Sequence, residues 1–368
     1  MNNNHKVSLL QSVARKFVIF FTRVPLSEKI LFAKHLSMMV NAGMTEVESI
    51  RLIRKQIKSR GFGKILDKII ADLESGLFLS VSLKQFPRAF GEIFINLIEI
   101  GEITGTLSQN LNFLSVELKK SQQLRSKVRS ALIYPIVILA ATLGVGGMLI
   151  FFVLPKILPV FYSLRIELPV ETKILVAASN FLLHYYLWVI LGFFVFFILM
   201  AGLLKIPFIR FYYHRLILAL PIIGKIAIAY NMANTTRTLG ILLKSGIKIV
   251  EAILINANIT SNDVYKKSFY LVAEEIKKGE SFYKYFENNS KIFPPTITRM
   301  IEVGENTGKL EENLFYLADF YENEVDEITK DLSSILEPVL LVVMGSLVGF
   351  VVVSIIKPIY EVSRSITR

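Results

Sequence analysis

The chain has 368 residues, is 53% hydrophobic and 20% charged, and its mean hydropathy of +0.51 is too high for a purely water-soluble protein. It holds no cysteine, which excludes disulfides and thiolate metal sites, and its four histidines are scattered without metal-ligand spacing. The net charge of +12 is uneven: residues 1–131 carry 20 Lys/Arg against 10 Asp/Glu, whereas residues 205–334 balance at 16 against 16.

Residues 1–26 form an N-terminal segment. Its apolar run, Phe17 to Phe21, is too short to span a membrane and no small-residue cleavage site follows it, so an interfacial or docking helix is expected. Residues 27–131 read as a first cytoplasmic helical bundle, because apolar positions recur at helical spacing and no strand-length alternation appears. Ser27 is expected to cap the first helix and Gly43 to end it. Thr45 and Glu48 have capping-box spacing for the next. Further helices are expected near 62–75, 80–86 and 91–100, ended in turn by Gly76 and Pro87, and a long one from about Thr106.

That long helix runs through Lys119, Lys120, Arg125, Lys127 and Arg129 into an uncharged stretch, 132–154. Its 23 residues amount to about 34 Å of helix, enough to cross a bilayer core. A loop, 155–173, leads to a second span, 174–204, then a second bundle, 205–334, a third span, 335–356, and a short tail, 357–368. The Lys/Arg before the first span and Lys205, Arg210 and Arg215 after the second place both bundles in the cytoplasm, with loop and tail outside. The third span runs against the rule, since Glu324, Asp326, Glu327 and Asp331 make its inner flank acidic.

The chain repeats itself. Glu99 to Leu107, EIGEITGTL, returns 203 positions later as Glu302 to Leu310, EVGENTGKL, with six of nine positions identical. The same offset pairs Leu36 with Leu239, Gly43 with Gly246, Gly76 with Gly279, Phe90 with Phe293, Leu114 with Leu317 and Pro135 with Pro338. Each unit is a bundle plus the span that follows it. The fold expected is an all-α membrane protein with two homologous cytoplasmic helical bundles and three transmembrane helices.

Motifs for chemistry are missing. No phosphate-cradling GxxxxGK[ST] loop and no nucleophile elbow occurs. The spans hold only His184 as an ionisable group, with Glu337 at one edge, unlike a transport path. Glu99 and Glu102, like Glu302 and Glu305, stand three apart and can share a helix face, yet one such pair supplies too few oxygens for a hard cation. The simpler reading is a helix-to-helix joint. Gly101 and Gly304 permit close backbone packing, Thr104 or Thr106 caps the next helix, Gly105 relaxes the turn and Leu107 re-enters the core. Thr307, Gly308 and Leu310 repeat the pattern, and partner contact is the rival role.

The doubled G-E-x-T-G-x-L motif resembles the inner-membrane platform proteins of type II secretion and type IV pilus machines, the general secretion F family with its competence pseudopilus relatives. The signature where the chain meets the membrane, with Lys127, Tyr134, Pro135 and Pro155 in place, is similar to that family's as well. The resemblance covers roughly residues 27–360. It implies a scaffold in the inner membrane with no catalytic, cofactor or metal site. Its implied partners are a hexameric assembly ATPase, cytoplasmic and inner-membrane scaffold proteins of the machine, pilin or pseudopilin subunits, further copies of itself and membrane lipid. Nucleic acid is not among them: the basic first bundle, beside membrane helices, suits anionic headgroups or an acidic protein surface. A small transporter or channel is the alternative from another class.

Overall fold

The computed structural model describes residues 24–148, 151, 152, 155, 159 and 170–366. The expected N-terminal docking helix and most of the loop after the first span lie outside the described residues. The first repeat folds as α1 (Leu26–Asn41), α2 (Glu46–Gln56), α3 (Arg60–Glu74), α4 (Leu79–Lys84), α5 (Pro87–Phe90), α6 (Glu92–Thr104) and α7 (Leu107–Met148). Helix α8 (Val170–Leu203) follows, and then α9 (Pro207–Ala219). The second repeat comprises α10 (Ile223–Lys244), α11 (Ile249–Ile259), α12 (Asp263–Lys277), α13 (Phe282–Asn288), α14 (Pro295–Thr307) and α15 (Leu310–Ile366). No strand occurs among the described residues.

The repeat is written into the helix boundaries. Adding 203 to the ends of α2, α3 and α6 gives the ends of α11, α12 and α14, and Leu107 maps onto Leu310 at the starts of α7 and α15. The chain reverses at glycines that need a left-handed backbone, and three of these also pair at that offset: Gly43 (φ 86°) with Gly246 (79°), Gly76 (85°) with Gly279 (88°) and Gly105 (71°) with Gly308 (68°). A side chain with a β carbon is strained at each of these bends, so they anchor the register of both copies.

Local capping matches the sequence in part. Thr45 and Glu48 make the full capping box at the start of α2, with Glu48 N–H donating to Thr45 Oγ1 and Thr45 N–H to Glu48 Oε2, both at 3.3 Å. Lys248, at the same place in the second repeat, supplies no side-chain cap. Ser27 is not a cap. Helix α1 starts at Leu26, and Pro25, two residues before Ser27, holds the cap position without a side-chain bond. Pro87 does not merely stop a helix; it occupies the first turn of the short α5, where a missing N–H costs nothing.

The chain divides into two compact units. One comprises residues up to Ser126 together with Ala227–Glu324, and the other Lys127–Ile226 with the residues from Val325 onward. In the first unit, Phe32, Phe62, Phe90 and Phe94 form an aromatic knot with centroids 5.1–6.1 Å apart, burying the centre of the first bundle. Tyr265 and Phe293, the counterparts of Phe62 and Phe90, meet edge to face at 5.5 Å in the second bundle. The buried Tyr265 hydroxyl donates to Ile292 O at 2.7 Å, which satisfies the one polar atom the substitution adds.

The second unit holds α8 and the later, apolar parts of α7 and α15. Leu107–Met148 and His184–Leu203 are long and apolar enough to cross a membrane, and Pro338–Ser354 is a shorter apolar stretch inside α15. The expected second span is interrupted: α8 is kinked at Tyr185 (φ −114°, ψ 16°), and the apolar span runs from His184 onward. Neither proline nor glycine stands at the kink; the Tyr185 ring packs against Phe181 at 5.3 Å and against His184 at 5.2 Å. One acid of the third span's flank, Asp326, is paired. Lys127 Nζ on α7 lies 2.5 Å from Asp326 Oδ2 on α15 in this unit, and in the other unit Lys120 lies 3.2 Å from Asp319.

Candidate functional site

In the first copy of the repeated stretch, the two carboxylates go to different partners. Glu102 turns back to the start of α4, where its Oε1 accepts from Leu79 N–H at 2.5 Å and its Oε2 from Ser80 N–H at 3.0 Å. No residue of α4's own approach caps that helix, so a carboxylate from α6 satisfies two orphan donors and complements the helix dipole. Glu99 instead pairs with Lys84 at 2.6 Å on the exposed side. Burial, and then the neighbouring Glu102 charge, raise the Glu46 carboxyl above the usual carboxylate range.

The glycines of the joint sit under backbone. A β carbon on Gly101 would stand 2.8 Å from Leu107 Cα, closer than real contacts allow. Asn110 then reaches across the crossing to donate to Leu97 O at 3.1 Å. Helix α6 ends at Gly105 in the left-handed region, and Leu107 enters the core 6% exposed. Thr104 does not cap the following helix; its hydroxyl donates to Ile100 O inside α6 at 2.7 Å and lies 2.7 Å from Thr106 Oγ1. Thr106 occupies the cap position through its backbone, its carbonyl accepting from Asn110 N–H.

The second copy reproduces the carboxylate cap and the close crossing. Glu305 accepts from Phe282 N–H at 2.8 Å and from Tyr283 N–H at 3.2 Å. Gly304 faces Leu310 Cα, 2.9 Å from a built β carbon, and Asn313 donates to Met300 O at 2.9 Å. Thr307 donates to Val303 O, and Gly308 closes the turn ahead of the half-buried Leu310. Two side-chain contacts are lost: Glu302 corresponds to Glu99, but Glu287 stands where Lys84 was, and Lys309 stands where Thr106 met the Thr104 hydroxyl. With their oxygens committed to backbone N–H groups, Glu102 and Glu305 act as interhelical caps, and no cluster of three metal-ligating side chains occurs among the described residues. Glu102→Ala and Glu305→Ala are each expected to cost about 1–2 kcal/mol, the range for a lost helix cap. Amide exchange at residues 79–80 or 282–283 reads that loss directly.

A charged contact between the two repeats escapes sequence inspection. Arg237 on α10 is 3% exposed, within the first unit, and is held by three carboxylates. Its Nη1 donates to Glu117 at 2.7 Å, its Nη2 to Asp319 at 2.6 Å and its Nε to Glu322 at 2.7 Å. Burial works against the charges of Arg237, Asp319 and Glu322. The hydrogen bonds from Arg237 and Lys120 nevertheless hold Asp319 below the usual carboxylate range, whereas desolvation prevails at Glu322 and raises it. Beside the cage, Phe113 of α7 meets Phe315 of α15 edge to face at 6.0 Å, with Lys244 Nζ 4.9 Å above the Phe113 ring. The signal in the sequence was slight: Arg237 is the lone charge between Lys225 and Lys244.

Of the residues where the chain meets the membrane, Lys127 makes the ion pair with Asp326, Tyr134 and Pro135 lie within α7, and Pro155 is helical and half-buried. The joint of each repeat therefore stands immediately before the long helix that carries the chain into an apolar segment.

Comparison with known proteins follows the same division. The family model for the type II secretion system protein F matches twice, over residues 32–155 and 235–358. The chain belongs to the type II secretion F family. The two matches are offset by 203 residues, the spacing of the repeated joint. The type II secretion system protein F of Aeromonas hydrophila is 31% identical over 353 residues, covering 96% of this chain and 91% of that protein. The type IV pilus assembly protein PilC of Thermus thermophilus is 31% identical over 337 residues, covering 92% and 83%. The type II secretion system protein F of Vibrio cholerae is 32% identical over 338 residues, with the same two shares. Secretion and pilus proteins of the F family are thus similar to this chain at equal levels, and likeness does not separate the two machines.

Proposed function

We propose that this F-family chain is the inner-membrane platform of a secretion or pilus machine, a scaffold without chemistry of its own. It couples a hexameric assembly ATPase, met by the cytoplasmic bundles, to the passage of pilin or pseudopilin subunits from membrane to filament. The observation that carries this reading is the doubled family match, each copy running from a helical bundle into an apolar helix. Two further features support it. Glu102 and Glu305 of the motif cap helices, which suits a joint that sets each bundle on its membrane helix. The Lys/Arg flanks of the first two spans favour bundles on the cytoplasmic side, with loop 155–173 and tail 357–368 outside.

Deleting the gene is expected to abolish filaments or secretion while pilin levels stay normal. Unchanged piliation and secretion in the deletion strain would overturn the proposal.

A further inference from the structure

The repeat makes one contact that has no counterpart among the described residues. In the first unit, α7 of repeat one covers α10 of repeat two: Glu117 meets Arg237, Ser121 meets Asn234, and Lys244 stands over Phe113. Shifting by 203 residues names the equivalent surfaces, α15 in place of α7 and α1 in place of α10. Among the described residues those surfaces are bare. Met38, the counterpart of Ile241, is 61% exposed where Ile241 is 6%, and Leu31 is 49% exposed. On α15, Tyr316 and Phe320, the counterparts of Phe113 and Glu117, are 58% and 38% exposed.

We propose that α15 of one copy docks on α1 of a second copy, repeating between chains the packing of α7 on α10 within one. The substitutions at the contact are mutually consistent. Lys34 replaces Arg237 and Phe320 replaces Glu117, so a cation over an aromatic face takes the place of the ion pair. Asp319 and Glu322, which hold Arg237 from its own repeat, correspond to Val116 and Lys119, so α7 offers Lys34 no carboxylate at those places. Met38 and Leu31 supply the apolar area that Ile241 supplies inside the chain. The contact joins unlike patches, so it adds copies head to tail and closes only as a ring. It does not rest on the platform reading, and its test involves no filament.

The absence of cysteine makes that test direct. Full-length chains carrying Met38→Cys with one tag and Phe320→Cys with another are co-expressed and oxidised in native membranes. The expected product is a reducible heterodimer bearing both tags, formed by neither single variant alone and not formed when Ile103→Cys, 79% exposed and on neither surface, replaces either partner. Lys34→Glu in the Met38→Cys chain is expected to remove the cross-link, and Lys34→Arg to keep it. Three results would overturn the proposal: no heterodimer above the Ile103→Cys level, homodimers of Met38→Cys alone, or capture of Met38→Cys by Val18→Cys within a single chain, which would make residues 1–23 the cover.

Discussion

Arg237→Ala is expected to loosen the contact between the repeats by on the order of 3 kcal/mol, the range for removing one member of a buried ion cluster. The three carboxylates do not share that cost equally. Asp319 is 58% exposed at its side chain and simply hydrates, and Glu322, at 20%, keeps some access to water while burial already raises its carboxyl above the usual range. Glu117, at 7%, loses its 2.7 Å guanidinium partner while out of water and keeps only Lys120 at 3.9 Å, so the loss is concentrated there. Glu117→Gln added to Arg237→Met should therefore recover part of the stability, which a merely local packing defect would not allow. Arg237→Lys should fall between, because a point charge cannot reach three acceptors at once. Hydrogen exchange of the full chain in detergent reads this as about hundredfold faster opening of the amides of α10 and the adjoining turns of α7, with the core of α3 little changed.

Gly101→Ala and Gly304→Ala are the second pair of large effects. Alanine normally gains about 1 kcal/mol over glycine inside a helix. Here the added β carbon would lie 2.8 and 2.9 Å from the backbone of Leu107 and Leu310, atoms that cannot rotate away. Forcing the crossing apart costs roughly 1–3 kcal/mol or more, so both variants should melt lower, and valine at either place lower still. Gly144→Ala, where nothing lies within 4 Å, is the matched control and should be neutral or stabilising. Thermal unfolding of the three variants by circular dichroism distinguishes helix propensity from close approach.

Much of the fold was legible because the two bundles reuse one plan. Gly43, Gly76 and Gly105 announced backbone reversals that only glycine makes easily, and their echoes at Gly246, Gly279 and Gly308 fixed the register without structure. The capping box at Thr45 is likewise local chemistry that a short window of sequence reveals. What stayed hidden is long-range. Glu102 caps a helix that begins 23 residues before it, so its spacing from Glu99 pointed to a shared face instead of two separate partners. Arg237 draws one partner from 120 residues upstream, and no periodicity on α10 encodes that. The bend at Tyr185 carries no proline or glycine, and uniform hydropathy on both sides concealed it.

The joint at Glu102 and Glu305 sets each bundle on its long helix, and replacing both by glutamine tests that role most directly. Glutamine keeps an acceptor for one N–H but loses the charge that complements the helix start. The full-length double variant, introduced into the deletion strain, should support filament assembly or secretion at low temperature and lose it only as the chain's lowered melting point is approached. A variant that is abundant, folded and inactive at every temperature would contradict a structural joint and return these carboxylates to the chemistry or partner contact of the machine.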